Sequence, residues 1–138
     1  MSELIIPHAA EIERSILGSM IMSDEQNDKT SHILKYGCEA NMFFNSQRRA
    51  LFTYLVDEYR EGRVIELMEF TSRLYNDASQ RYGSVAEFTT CTGLDQPTSR
   101  LEQLVITLSE YKARRDIIQQ TSILNRKAYS MDESIHDL

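Results

Sequence analysis

The chain has 138 residues, 41% of them hydrophobic and 26% charged, with a net charge of −6 at pH 7. That composition fits one domain with a single core and excludes a disordered tail, whose apolar content could not offset chain entropy. The acidic balance excludes a domain whose main task is to coat a phosphate backbone, no apolar run approaches the ~20 residues that cross a bilayer, and the amino terminus lacks a secretory signal.

In chain order, the pattern predicts a first helix over residues 7–22. Pro7 costs nothing at a first helical position, Glu11 and Glu13 sit near the positive end of the dipole, and Ala9, Ile12, Ile16, Leu17, Met20 and Ile21 recur at three and four. Gly18 interrupts the stripe at a cost of about 1 kcal/mol relative to alanine, so its expected use is the close approach of a neighbouring helix. A turn at 23–25 leads to a shorter helix over 27–36, with Ile33, Leu34 and Tyr36 inside and Gly37 as its stop. Met42, Phe43 and Phe44 are expected to plug the core before Asn45 or Ser46 caps a third helix over 47–61. Leu51, Phe52, Tyr54, Leu55, Val56 and Glu58 make that helix the expected centre of the core, and Gly62 ends it.

Val64 and Ile65 read as extended, and Glu66 opens a helix to residue 76 with Leu67, Phe70 and Leu74 inside. A polar link over 78–82 precedes a short helix started at Gly83 and Ser84, with Val85, Phe88 and Thr89 on its buried side. Pro97, with Thr98 or Ser99 as cap, opens one long final helix over 99–129, unbroken by Gly or Pro. Its pattern changes halfway. Leu101, Leu104, Leu108 and Tyr111 keep three-four spacing, Arg115 takes the next place on that stripe, and Ile117, Ile118, Ile123 and Leu124 form a different, weaker face. A ~30-residue helix spans about 45 Å, more than the small domain it leaves, so its far half is expected to project and find a partner. Asp132, Ile135 and Leu138 read as the first step of another helix. The division expected is a helical head over 1–97, then the long helix and the start of a helical hairpin over 98–138.

Signals for chemistry are sparse. No G-x-x-x-x-G-K-[ST] stretch offers a phosphate-cradling loop. His8, His32 and His136 stand far apart, and Cys38 and Cys91 are isolated, so no metal site is expected and the cysteines read as ordinary reduced thiols. Glu11 with Glu13, and Glu66 with Glu69, read as helix-surface charges, and Ser15 and Ser19 lack a His or Asp at an informative spacing. Arg48-Arg49, Lys112 with Arg114-Arg115, and Arg126-Lys127 read as solvated helix faces, against the alternative of contact with an acidic partner or a nucleic acid strand. No catalytic, cofactor-binding or metal-ligating residue is assigned.

Pro7, His8, Glu11, Glu13, Ile16, Leu17, Gly18 and the Ser-Asp-Glu at 23–25 together resemble the opening of the amino-terminal domain of DnaB-type replicative DNA helicases. MFFNSQRRALFTYLVDEYREGRVIEL is similar to the family's next block through Phe43, Phe44, Arg48, Leu51, Phe52, Gly62, Ile65 and Leu67. Tyr82-Gly83 stands where the family usually has Gly-Gly, and Gln96-Pro97-Thr98 where its long helix begins, while Gln47, Glu66 and FTTCTG depart from its pattern.

The resemblance implies an all-α fold: a compact orthogonal bundle of about five short helices plus one long C-terminal helix, the first arm of a helical hairpin. It implies a non-catalytic collar that self-associates, as a dimer or as a trimer of dimers in the full protein, and that recruits primase, a helicase loader or both. The parent would be an ATP-dependent DNA helicase, bacterial or phage-encoded and cytoplasmic, with its ATP and Mg held in a motor domain outside this chain. Little direct nucleic-acid binding and no membrane association are expected of this domain. Leu104, Leu108, Tyr111, Arg115, Ile117, Ile118 and Leu124 are expected at the self-association or partner interface, and Leu17, Gly18, Phe43, Phe44, Leu51 and Phe52 in helix packing. The alternative is a stand-alone phage or plasmid adaptor of the same fold that binds a helicase or primase.

Overall fold

The computed structural model of the protein describes residues 8–22, 25–76 and 83–130. Pro7, the turn at 23–24, the whole of the 78–82 link and the expected helix start at 131–138 lie outside the described residues. Among the described residues all regular structure is helical: α1 (Ala10–Ile21), α2 (Gln26–Lys35), a 3-10 turn (Ala40–Met42), α3 (Ser46–Arg60), α4 (Leu67–Asn76), α5 (Val85–Cys91) and α6 (Thr98–Tyr129).

Local chemistry sets the helix ends. The Asn45 side chain accepts from the amides of Gln47 and Arg48 at 2.9 and 3.0 Å, which makes it, and not Ser46, the cap of α3. Ser84 caps α5 through the Glu87 amide, and Glu66 stands just outside α4, its carboxylate accepting from the amides of Met68 and Glu69. Gly37 and Gly62 stop α2 and α3 in the left-handed region, at φ 89° and 73°. The next residues close the turn: Cys38 N donates to Ile33 O and Arg63 N to Glu58 O, satisfying carbonyls that the helices leave open. Neither Thr98 nor Ser99 caps α6, contrary to expectation; its N-cap is Pro97, with no side-chain cap bond.

The centre of the core is α1, not α3. Every residue from 15 to 21 of α1 is buried, and α2, α3, α5 and α6 all pack around it. Leu51, Phe52, Leu55 and Val56 of α3 line one side, and Phe43 packs against Phe52 with ring centroids 4.9 Å apart. Phe70 of α4 stacks on Tyr54 of α3 and meets Phe88 of α5 edge-on, which ties both short helices to the bundle. Each such buried side chain contributes about 1.5–3 kcal/mol. Leu67 and Thr89, expected inside, are not in the core: Leu67 is exposed at the first turn of α4, and Thr89 is exposed while Cys91 takes the inner position. Leu101, Val105 and Leu108 of α6 are buried, so the expected division after residue 97 falls in front of three core residues.

Gly18 serves a close approach, but by backbone and not by a crossing helix. A Cβ built there would lie 2.3 Å from the Cys91 carbonyl oxygen and 3.1 Å from the Leu94 carbonyl carbon, where α5 ends and its following loop begins. Beside it, Ser19 Oγ donates to Ser15 O and accepts from the Gln96 amide, and Lys29 Nζ donates to Asp95 Oδ1 and Gln96 O, both at 2.8 Å. The last three of these bonds hold the loop that launches α6, and the first fixes the Ser19 hydroxyl within α1.

The acidic residues of the first turn correct another expectation. Glu11 is exposed, whereas Glu13 is fully buried, with Arg48 Nε donating to its Oε1 at 2.7 Å. Arg48 Nη1 donates onward to Glu87 Oε1 at 2.9 Å, and Glu87 receives a two-pronged bond from Arg14. Two carboxylates and two guanidinium groups thus join α1, α3 and α5. The Arg14 hydrogen bonds, ahead of the opposing cost of burial, hold the Glu87 carboxyl below its ordinary range.

Gly18→Ala should lower stability by about 1 kcal/mol in urea denaturation, because overpacking against rigid backbone (~1–3 kcal/mol) exceeds the ~1 kcal/mol gained in helix propensity. Arg48→Met, which leaves Glu13 buried without its cation, should cost about 3–5 kcal/mol, and adding Glu13→Leu should recover part of that loss. Glu87, with a folded-state pKa below its ordinary value of 4.5, stabilises the fold above that pH and loses its contribution as pH falls through the depressed value. Glu87→Gln should therefore flatten the acid limb of the stability profile below about pH 4.5, measured by urea titrations across pH.

Candidate partner interface on the long helix

Residues 42–44 connect the 3-10 turn to α3, and three helices hold their backbone. From α1, Glu13 Oε2 accepts from the Phe44 amide at 2.9 Å. From α3, Arg49 Nη1 donates to the carbonyl oxygens of Phe43 and Phe44 at 3.0 and 2.8 Å. From α6, Arg115 Nη2 donates to the Met42 carbonyl oxygen at 2.8 Å. With the backbone extended at Phe43, neighbouring side chains point to opposite sides. Phe43 therefore enters the core, while Phe44 is 39% exposed. The expectation that Phe44 packs inside is corrected: its ring stacks with His8 at 4.7 Å and lies 5.5 Å from the Arg115 guanidinium.

This clamped segment forms one wall of an open groove of about 520 Å³, and α6 forms the other. Phe44, Arg49, Lys112, Arg115, Ile118 and Arg126 give it cations around an apolar strip. Lys112 pairs with Asp116 one turn along, which holds the one carboxylate in the lining.

On the opposite side of the same helix lies a surface of different character. At about 100° per residue, Ile117 and Leu124, seven positions apart, share a side with Ala113 and Ala128. All four are exposed, Ile117 at 64% and Leu124 at 51%, and Gln120 and Thr121 between them carry no charge. This uncharged seam lies beyond the head, since the last buried residue of α6 is Leu108.

The residues expected at an interface thus fall into four groups. Leu108 is a core residue with 0% exposure, so it is not available to a partner, and Leu104 is partly buried against the same core. Tyr111 is half-buried, with the Arg114 guanidinium 6.0 Å from its ring. Arg115 and Ile118 face the groove, and Ile117 and Leu124 the seam. Gln119, Ser122 and Arg126, with Arg115, recur at four, three and four and line the groove, a helical period legible in the sequence and missed because the residues are polar. Arg48 is not on a solvated face, as read from the sequence, but buried with Glu13 and Glu87.

Burial pushes the thiols of Cys38 and Cys91 up to about 12, so both are neutral near pH 7 and poor nucleophiles. Among the described residues no three His, Cys, Asp or Glu side chains converge to hold a metal ion, and no helix is long and apolar enough to cross a membrane. The groove itself offers apolar contact and fixed positive charge.

In fold, the chain is similar to the crystal structure of the N-terminal domain of DnaB helicase from Mycobacterium tuberculosis. The TM-score is 0.76, over 91% of this chain and 89% of that one, at 16% sequence identity. No curated protein sequence matches. The sequence model of the DnaB-like helicase N terminal domain matches residues 5–109, ending one residue beyond Leu108. With that match spanning most of its length, the chain belongs to the family of DnaB-like helicase N-terminal domains.

Proposed function

We propose that this chain is the non-catalytic collar domain of a replicative DNA helicase, which self-associates and recruits primase or a helicase loader during DNA replication. The observation that carries this reading is the uncharged seam of Ala113, Ile117, Leu124 and Ala128, exposed on a helix that has already left its own core. Apolar side chains flanked by small residues favour close packing of a second helix, and covering them removes apolar surface from water at ~25 cal/mol per Å². The head is then a rigid base that fixes the direction of the arm. In this reading ATP and Mg act in the parent helicase's motor domain, and the head serves assembly.

Light scattering and sedimentation of the chain, alone and with the primase of the same replication system, test the proposal. Self-association that rises with concentration is expected, as is a primase complex. A chain that stays monomeric and ignores primase counts against the reading. Ile117→Asp with Leu124→Asp should abolish self-association while leaving the melting temperature nearly unchanged, because both side chains are exposed in the free chain. Leu108→Asp should instead unfold the head, since it places a charge among fully buried side chains.

A further inference from the structure

The groove between Phe44 and α6 lies on the side of the helix away from the seam, and its chemistry differs. Its lining carries four cations, Arg49, Lys112, Arg115 and Arg126, and one carboxylate, in a chain whose net charge is −6. The single carboxylate, Asp116, is engaged by Lys112. Arg49 donates to the carbonyl oxygens of Phe43 and Phe44, which hold its position without cancelling its charge. Beneath these cations lies an apolar strip of Phe44 and Ile118, 39% and 45% exposed. From Lys112 to Arg126 the groove runs about 21 Å at 1.5 Å per residue, the length of roughly 14 helical residues.

We infer that this groove docks an amphipathic helix of a partner protein, with an apolar stripe against Phe44 and Ile118 and carboxylates on its flanks facing Arg49, Lys112, Arg115 and Arg126. The inference deepens the recruitment part of the proposed function and rests on it. Charge complementarity selects the occupant. A second copy of α6 would bring the same cations into the groove and be repelled. A nucleic acid strand would use the cations, but the aromatic ring that would stack a base is already stacked by His8 and flanked by Arg115. An acidic apolar helix satisfies both the charges and the strip, in the helix-in-groove mode of recognition. Because groove and seam occupy opposite sides of α6, a partner can dock while the arm is paired.

The test is fluorescence anisotropy of the 138-residue chain with a labelled designed helical peptide carrying Leu on one face and Glu on both flanks. Its Lys-for-Glu counterpart and a single-stranded oligonucleotide are the comparison probes. The acidic peptide should bind, weaken as ionic strength rises, and lose about tenfold in affinity with Arg126→Glu or with Ile118→Asp. Both sites are exposed, and unchanged melting verifies the fold; Ser122→Glu, which places an anion on the same wall, is a second variant expected to weaken binding. Ile117→Asp with Leu124→Asp should leave peptide affinity unchanged. Absence of acidic-peptide binding, equal binding of the Lys peptide, or an oligonucleotide that binds more tightly and is released by Arg126→Glu would overturn the inference. If the acidic peptide binds as expected while the seam variants still self-associate, the self-association reading fails and the groove assignment stands. If the seam variants behave as expected and the peptide does not bind, the groove assignment alone fails.

Discussion

One buried carboxylate sets the geometry on which the rest depends. Glu13 sits at 0% exposure with Arg48 on one oxygen and the Phe44 amide on the other. An unpaired charge at that depth would cost several kcal/mol, so the position is tenable only with both partners in place. That requirement couples three events: α1 must lie across α3, Arg48 must turn inward, and the chain entering α3 must present the Phe44 amide. Apolar side chains could fill the same space at similar stability. They would not accept a hydrogen bond from Phe44, and the wall of the groove would lose its fixed position.

The long helix then does three different things along its 32 residues. Its first third is core, through Leu101, Val105 and Leu108. At Arg115 it makes its last described bond to the head, to the Met42 carbonyl oxygen. Beyond that, the side chains of Ile117, Leu124 and Tyr129 lie mostly in solvent. A free helix of that length is only marginally stable in water, because nucleation is costly. Here the head supplies the nucleus, and extension continues one hydrogen bond at a time on an already formed turn. The arm can therefore be helical before anything covers it, which reduces the ordering cost of pairing.

How much of this is legible in the sequence depends on whether a residue's partner is local. The six helices, their glycine stops and the unbroken run of α6 follow from periodicity and caps, which are properties of neighbouring residues. Gly18 is readable as a site of close approach, but the Cys91 carbonyl it faces lies 73 positions away, beyond the reach of any helical pattern. Glu13 is the instructive case. It stands three and four residues before Ile16 and Leu17, on the buried stripe of α1, as Arg48 stands three and four before Leu51 and Phe52 on α3. Opposite charges on two buried stripes are each other's natural partners, and assigning acids to the surface by residue type hides that signal. The exposure of Phe44 was less accessible, since it follows from a backbone amide captured by Glu13, 31 residues earlier.

The two faces of the arm differ in how electrostatics acts on them. The seam itself is uncharged, but Arg114 stands three residues before Ile117 and Lys127 three after Leu124, so two arms brought together confront like charges at the edges of their contact. In the proposed reading, self-association there would be driven by apolar burial against a repulsion that salt screens. In the groove the cations face the occupant and provide the attraction, so screening acts in the opposite sense. A helix with equal chemistry all round would have to choose between pairing and recruiting. Segregating an apolar seam from a cationic groove, on a single helix whose direction is fixed by Glu13 and its neighbours, would let both proposed contacts form together.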